Sequence, residues 1–518
     1  MHSAAGAQED GGKITFHVLA CSILAATGGL LFGYDVGISG GVTAMDGFQE
    51  KFFPEVYRKQ QGFVDEDNYC KYDNQRLQLF TSSLYMACLL GSLVASRTCT
   101  KYGRKVAIRL AAIFYLAGVL LAATAANLTM LILGRLLVGV GNGFSVQVYY
   151  LFLLRAVPVF LSEIAPSKAR GALNILFQLN ITLGILNAKT VNYFAAKIQP
   201  WGWRLSLAYA GVPGTILFLG SLAITETPSS LIQRGHLDQG LAVLRKIRGI
   251  DDVGLEYTQI VKAGEDARRA KRPFRKLLGR SSRPELVIAV ALQVFNQLTG
   301  INVTMFYAPI LFETVGFKSG ASLLSTVIIG GINVAATVVS IVLVDRAGRR
   351  ALLLEACVQM FITQTAIGGI LMAKLTATNR LETSTGICVV ILVCLYVMSF
   401  AWSLGPLCNL IPSEIFPLET RTAGIWCSVT ANMIFTFLVA QSFLSMLCRL
   451  KAATFFFFAF WTVLMGLFVL ILLPETKGVP IDEMAERVWG RHWYWKKFAD
   501  AGKDIHTAEA AGVTAVAP

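Results

Sequence analysis

The chain has 518 residues, of which 54% are hydrophobic and only 15% charged, and its mean hydropathy is +0.57. Soluble domains carry about 25% charged residues, so a water-soluble globule is excluded, as are a disordered chain and a disulfide-rich secreted scaffold. The net charge of +14 is assigned to loops on the cytoplasmic side of a lipid bilayer and not to a nucleic-acid partner.

In chain order, apolar runs fall near 17–40, 79–96, 106–126, 130–160, 171–194, 205–225, 284–312, 321–344, 351–373, 386–411, 422–446 and 453–474. Twelve spans of about 22 residues need roughly 260 residues, which the apolar supply can meet. The runs are long and continuous, not short and alternating, which predicts an all-α polytopic membrane protein and not a β-barrel. Residues 1–16 are expected to form a cytoplasmic N-terminus, with no cleavable signal. A first six-helix half is expected over 17–225, with an extracellular lid loop at 41–76. A polar, helix-prone linker is expected over 226–283, a second half over 284–474 and a cytoplasmic tail over 475–518.

Sidedness follows from the basic residues. The 226–283 loop holds thirteen Lys and Arg against seven Asp and Glu, whereas the 46–76 segment holds five against seven. The former is therefore expected in the cytoplasm and the latter outside, with both termini cytoplasmic.

The two halves echo each other. Gly103-Arg104-Lys105 follows the second run and Gly348-Arg349-Arg350 the eighth. Ser162-Glu163-Ile164-Ala165-Pro166 with Arg170, and Ser413-Glu414-Ile415-Phe416-Pro417 with Arg421, are two copies of one motif 251 residues apart. A duplicated half predicts a pseudo-twofold axis along the membrane normal and a cavity between the halves. Arg104, Glu163, Arg170, Arg349, Glu414 and Arg421 are expected to form a cytoplasmic latch of ion pairs that holds the halves together. Single exposed pairs contribute only about 0–1 kcal/mol, which suits a latch that must open.

These motifs, with Glu226-Thr227-Pro228-Ser229 and Pro474-Glu475-Thr476-Lys477-Gly478, resemble the sugar porters of the major facilitator superfamily. The stretch Gly29–Thr43, Gln297-Leu298-Thr299-Gly300-Ile301-Asn302 and the segment Gln441–Cys448 are similar, more narrowly, to the plant monosaccharide–proton symporters. The resemblance runs from about residue 13 to 490. It implies twelve helices in two pseudo-symmetric halves and proton-coupled uptake of a monosaccharide, such as a hexose, across the plasma membrane. Protons are then the coupling ion, with no organic cofactor.

Asp35 lies inside the first apolar run, where a carboxylate is costly and marks a functional site. Burial raises the pKa of such a group and a nearby arginine lowers it. Arg135 is its natural partner, and the resemblance gives the two the role of proton site. A hexose presents hydroxyls and no charge, so its site calls for neutral amides, each with two donors and an acceptor. Gln293, Asn296, Gln297 and Asn302 cluster in the seventh run, and Gln178 and Asn333 sit in apolar surroundings. The resemblance places sugar contacts at Gln178, Asn296, Gln297, Asn302 and Asn333, and a hydrophobic sensor beside the proton site at Phe32 and Val36. Gly300 and Pro309 are expected to let the seventh span bend. The resemblance also implies a disulfide between Cys70 and Cys448. The other eight cysteines read as small hydrophobes. No metal set, nucleophile or nucleotide motif points to an enzyme.

Two departures stand out. Asn296 replaces a glutamine, and Asn409 replaces a tryptophan whose face would pack on a sugar ring, which opens the way to other hexoses, pentoses or polyols, or to a non-transporting sensor. The family pattern also runs from Gln147 directly to Ala156, so residues 148–155 are extra. Eight residues add about 12 Å to a helix and rotate its downstream part by about 80°, which is expected to misplace either Arg135 or the Ser162–Arg170 motif. The segment is either a true insertion or translated intron at a splice junction.

Overall fold

The computed structural model describes residues 16–62, 67–160, 170–223, 226–248, 253–254, 257–258, 260–262, 273–375, 382–417, 420–477, 479 and 483–498. Among the described residues the regular structure is helical. The first half contains α1 (Phe16–Thr43), α4 (Gln75–Tyr102), α5 (Arg104–Ala123), α6 (Leu128–Phe160), α7 (Arg170–Ala195) and the pair α8 (Gly202–Tyr209) and α9 (Gly211–Ala223). The 41–76 loop contributes two short helices, α2 (Asp46–Phe52) and α3 (Pro54–Gln60). The linker contributes α10 (Pro228–Gln233), α11 (Leu237–Arg248) and α12 (Pro273–Leu277).

The second half repeats the plan with α13 (Arg283–Leu298) and α14 (Ile301–Val315) as one passage, then α15 (Ser319–Ala347) and α16 (Arg349–Ile370). A second broken passage, α17 (Thr383–Trp402) and α18 (Leu404–Ile415), precedes α19 (Arg421–Leu450) and α20 (Ala453–Leu472). Ten passages are long and apolar enough to cross a membrane. Helices α1 and α7, of 28 and 26 residues, stand at the places of the first and fifth expected runs.

The break in the seventh passage comes at Gly300, as expected. Its backbone is left-handed, φ +82°, and a Cβ there would lie 2.8 Å from the Phe458 ring, so only glycine fits. Breaking a helix in lipid frees backbone carbonyls that must find partners. Here the Thr299 carbonyl accepts from Gln364 Nε2 at 2.7 Å and from the Tyr396 hydroxyl at 2.8 Å.

The halves meet tightly on the face where α4 begins and α19 ends. Cys70 and Cys448 form the disulfide, with Cα atoms 4.5 Å apart. Around it, Ser82 donates to Gln441 Oε1 at 2.6 Å and Ser445 to Asp73 Oδ1 at 2.6 Å, while Gln441 Nε2 donates to Gln75 Oε1 at 2.9 Å. Tyr72, from the 41–76 loop, donates to Glu313 on α14. This face is closed.

At the opposite end of α4, the two-fold repeat appears as a pair of helix caps. Gly103 and Gly348 have φ +95° and +90° and turn the chain into α5 and α16. The Glu226 carboxylate accepts from the backbone N–H groups of Arg104 and Lys105 at 3.0 and 3.2 Å. Glu475 does the same for Arg349 and Arg350 at 3.0 and 3.1 Å. A carboxylate on two orphan N–H groups at a helix N-terminus satisfies both donors and the helix dipole together.

Part of the expected latch lies among the described residues. Arg349 meets Glu414 at 2.9 Å, but both belong to the second half, so this pair ties α16 to α18 within that half. Arg104 donates to Thr227 at the start of the linker at 2.8 Å, and Arg421 donates through Nε to the Phe416 carbonyl at 3.1 Å. Glu163 lies outside the described residues. Arg170 opens α7, and its side chain is likewise outside them.

The extra segment 148–155 extends α6 to 33 residues. Arg135 is not displaced, because it precedes the insertion by more than three turns. The Ser162–Arg170 motif, the other feature expected to be misplaced, lies outside the described residues except for the backbone of Arg170.

Candidate functional site

The Asp35–Arg135 pair is assembled almost wholly from α1 and α6. Both side chains are about 2% exposed, and Arg135 Nη1 lies 3.5 Å from Asp35 Oδ1. Asn142, two turns beyond Arg135 on the same face of α6, donates to Asp35 Oδ2 at 2.7 Å. Ser39, one turn beyond Asp35, donates to the Asp35 carbonyl at 2.9 Å and accepts from Arg135. The guanidinium lies over the Phe80 ring, 4.8 Å from its centroid, a cation–π contact strengthened by the dry surroundings. A buried charge is tolerated when it is paired and hydrogen-bonded, and this one is.

A cavity of about 120 Å³ lies beside the pair, between the halves. Every residue expected at the sugar site lines it: Gln178 on α7, Asn296 and Gln297 on α13, Asn302 on α14, Asn333 on α15 and Asn409 on α18. Phe32 and Val36 line it from α1, on the helix that carries Asp35. Asp35 and Arg135 themselves are not part of its wall. Phe32 meets Tyr85 edge-on at 6.4 Å, and Tyr85 meets Phe306 at 5.3 Å, so an aromatic wall spans the halves.

The amides are held in a network. Asn302 Nδ2 donates to Gln297 Oε1. Gln293 donates to the Cys408 carbonyl at 2.8 Å and accepts from Asn432 at 2.7 Å. By contrast, the buried oxygens Asn296 Oδ1 and Asn333 Oδ1 have no hydrogen-bond partner. A buried unsatisfied acceptor costs about 1–3 kcal/mol. Both belong to residues that line the cavity, where a molecule carrying hydroxyl groups could supply the missing donors.

Sequence reasoning overlooked Asn142, Ser39, Asn432 and Thr436, the last two also lining the cavity. Spacing would have found Ser39 and Asn142, which follow Asp35 and Arg135 by four and seven residues on helical faces. Asn432 carries the same signal as Gln178, an amide within an apolar run.

A profile described as sugar (and other) transporter matches residues 21–488. The chain belongs to the sugar (and other) transporter family. It is 57% identical over 501 residues to sugar transport protein MST4 of Oryza sativa subsp. japonica, covering 96% of each chain. It is 56% identical over 497 residues to sugar transport protein 6 of Arabidopsis thaliana, again covering 96% of each. Among solved structures it is similar to the major facilitator superfamily proton:xylose symporter XylE bound to 6-bromo-6-deoxy-D-glucose, with a TM-score of 0.72 and 25% identity. That match covers 91% of this chain and 99% of the other. An inward-open structure of the E. coli xylose transporter XylE gives a TM-score of 0.70 over 90% of this chain and 98% of that one. This family member is thus a multi-pass, all-helical membrane protein of the major facilitator fold.

Proposed function

We propose that this chain is a proton-coupled symporter that takes up a monosaccharide, a hexose such as glucose, by alternating access. The observation that carries the reading is the placement of a buried carboxylate–arginine pair directly behind an amide-lined cavity, with Phe32 and Val36 between them. Protonating Asp35 removes the charge that holds Arg135 and Asn142, so loading a proton frees α1 to move against α6. A sugar pressing on Phe32 and Val36 would favour the same movement. The two ligands then assist each other by biasing one equilibrium, with no contact between them. Relatives named as sugar transport proteins and a structural neighbour named as a proton:xylose symporter support the substrate class and the coupling ion.

The distribution of basic loops supports cytoplasmic termini and an extracellular disulfide face, and the resemblance to plant monosaccharide–proton symporters supports the plasma membrane. The closed disulfide face then corresponds to a state shut to the outside. Labelled-glucose uptake in cells lacking their own hexose carriers tests the proposal. Uptake that rises from pH 7 to pH 5 and collapses with a protonophore is expected. Uptake indifferent to both, with the protein at the surface, would sink proton coupling.

A further inference from the structure

The interior of the molecule holds a further buried charge. Lys189, on α7, is only 3% exposed. Its ammonium lies 3.7 Å from Met305 Sδ, and among the described residues no carboxylate pairs with it. A thioether is a weak acceptor, and an ammonium carries three donors, so its bonding capacity is largely unspent. A buried cation without a counter-charge is costly.

The position of this lysine is specific. Gln178, Ile185 and Lys189 fall on one face of α7, at spacings of seven and four, and the first two line the cavity. A helical side chain leans toward the N-terminus of its helix, which carries Lys189 back toward Ile185. Its stem crosses Gly330 of α15, where an added Cβ would lie 3.5 Å from Lys189 Cδ. Asn333, with its unsatisfied acceptor, is one turn further along α15. Met305, which the ammonium touches, is itself part of the cavity wall, and its unbranched chain moves easily.

We propose that Lys189 forms a carboxylate subsite at the edge of the cavity, so that the transporter also accepts a hexuronate, a monosaccharide oxidised to an acid at C6. This rests on the reading of the cavity as a monosaccharide site. The hydroxyls satisfy Asn296 Oδ1 and Asn333 Oδ1, and the carboxylate supplies the acceptor that Lys189 lacks once Met305 turns aside. Charge balance adds a second signature. A neutral hexose entering with one proton carries one positive charge inward, whereas a hexuronate entering with one proton carries none.

The test measures uptake of labelled glucose and labelled glucuronate or galacturonate, with membrane current, in voltage-clamped oocytes at pH 5. The expected result is hexuronate uptake that competes with glucose and adds no inward current, while glucose uptake carries current. Lys189→Asn is expected to lower the hexuronate-to-glucose uptake ratio by about tenfold or more, the size of one charge-assisted hydrogen bond, and Lys189→Arg to retain part of it. Glucose uptake with neither hexuronate uptake nor competition would overturn the subsite while leaving the hexose reading intact. An unchanged ratio in Lys189→Asn would overturn it too. Hexuronate uptake without glucose uptake would sustain the subsite and overturn the hexose reading, and uptake of neither would overturn both. Where Lys189→Asn fails to reach the surface, hexuronate uptake and competition in the unmodified chain decide.

Discussion

The proton site and the sugar cavity are neighbours built on opposite principles. At Asp35 the polar groups are matched: the carboxylate meets Arg135 and Asn142, and Arg135 in turn meets Ser39 and Phe80. In the cavity the polar groups are neutral and two acceptors are left open. The first site comes from one half, α1 and α6, while the second draws most of its amides from the other. A site satisfied within one half can hold its charge while the halves move. A site split between halves, with open valences, is completed only by a ligand. Phe32 and Val36 are where one meets the other.

The comparison breaks most visibly if one partner of the pair is removed. Arg135→Met leaves the Asp35 charge buried alone, at a cost of about 3–5 kcal/mol. Thermal unfolding in detergent is expected to show a large drop in stability, which the double change Arg135→Met with Asp35→Asn largely restores. Equal stability of the single and double variants would mean that Asp35 is not charged against Arg135.

A smaller effect is expected in the cavity. Removing the amide at Asn296 or Asn333 takes away one hydrogen bond to a sugar hydroxyl, about 1 kcal/mol. The half-saturation concentration for glucose should rise about fivefold, with the pH profile of uptake unmoved. A shifted pH profile would show that the two sites are not separate.

Smaller still is the surface link between the 41–76 loop and the end of α19. Asp67 lies 2.5 Å from Lys451. Partial burial works against the charged form, but the Lys451 bond and the Tyr69 N–H hold the Asp67 carboxyl below its ordinary value. A depressed carboxyl stabilises the fold above its unfolded pKa and loses that contribution as pH falls through the folded pKa. The link is exposed, so about 0–1 kcal/mol is expected. Lys451→Ala should lower stability slightly at neutral pH and not at all in acid strong enough to protonate Asp67 in the folded protein. A difference that persists in acid would place the effect elsewhere.

The smallest expected change is none. Arg135 and Asn142 precede the extra segment, so deleting Val148–Arg155 should leave the pH midpoint of uptake where it is, whatever happens to the rate. A moved midpoint would mean that the insertion reaches back into the proton site.

Much of this is legible in the residues. Long apolar runs can only be helices in lipid, and every amide singled out by its apolar surroundings lines the cavity. The breaks at Ala210 and Ser403 are announced by Pro213 and Pro406 three residues on, each lacking the N–H that would bond the carbonyl four residues back, a signal that sequence reasoning overlooked, whereas Gly300 was read. The features that are not legible have physical causes. The roles of Glu226 and Glu475 depend on a turn more than 120 residues away, which no local pattern encodes. Lys189 is readable as a charge within an apolar run, but that no carboxylate pairs with it among the described residues is a tertiary fact.

The most direct test of the account is proton movement in proteoliposomes carrying a pH-sensitive dye, with the unmodified chain and Asp35→Asn compared. Adding glucose is expected to acidify the lumen with the unmodified chain. Asp35→Asn, isosteric with the protonated state, is expected to exchange labelled glucose by counterflow and move no protons. Glucose-dependent acidification that survives in Asp35→Asn would contradict the assignment of Asp35 as the coupling carboxylate.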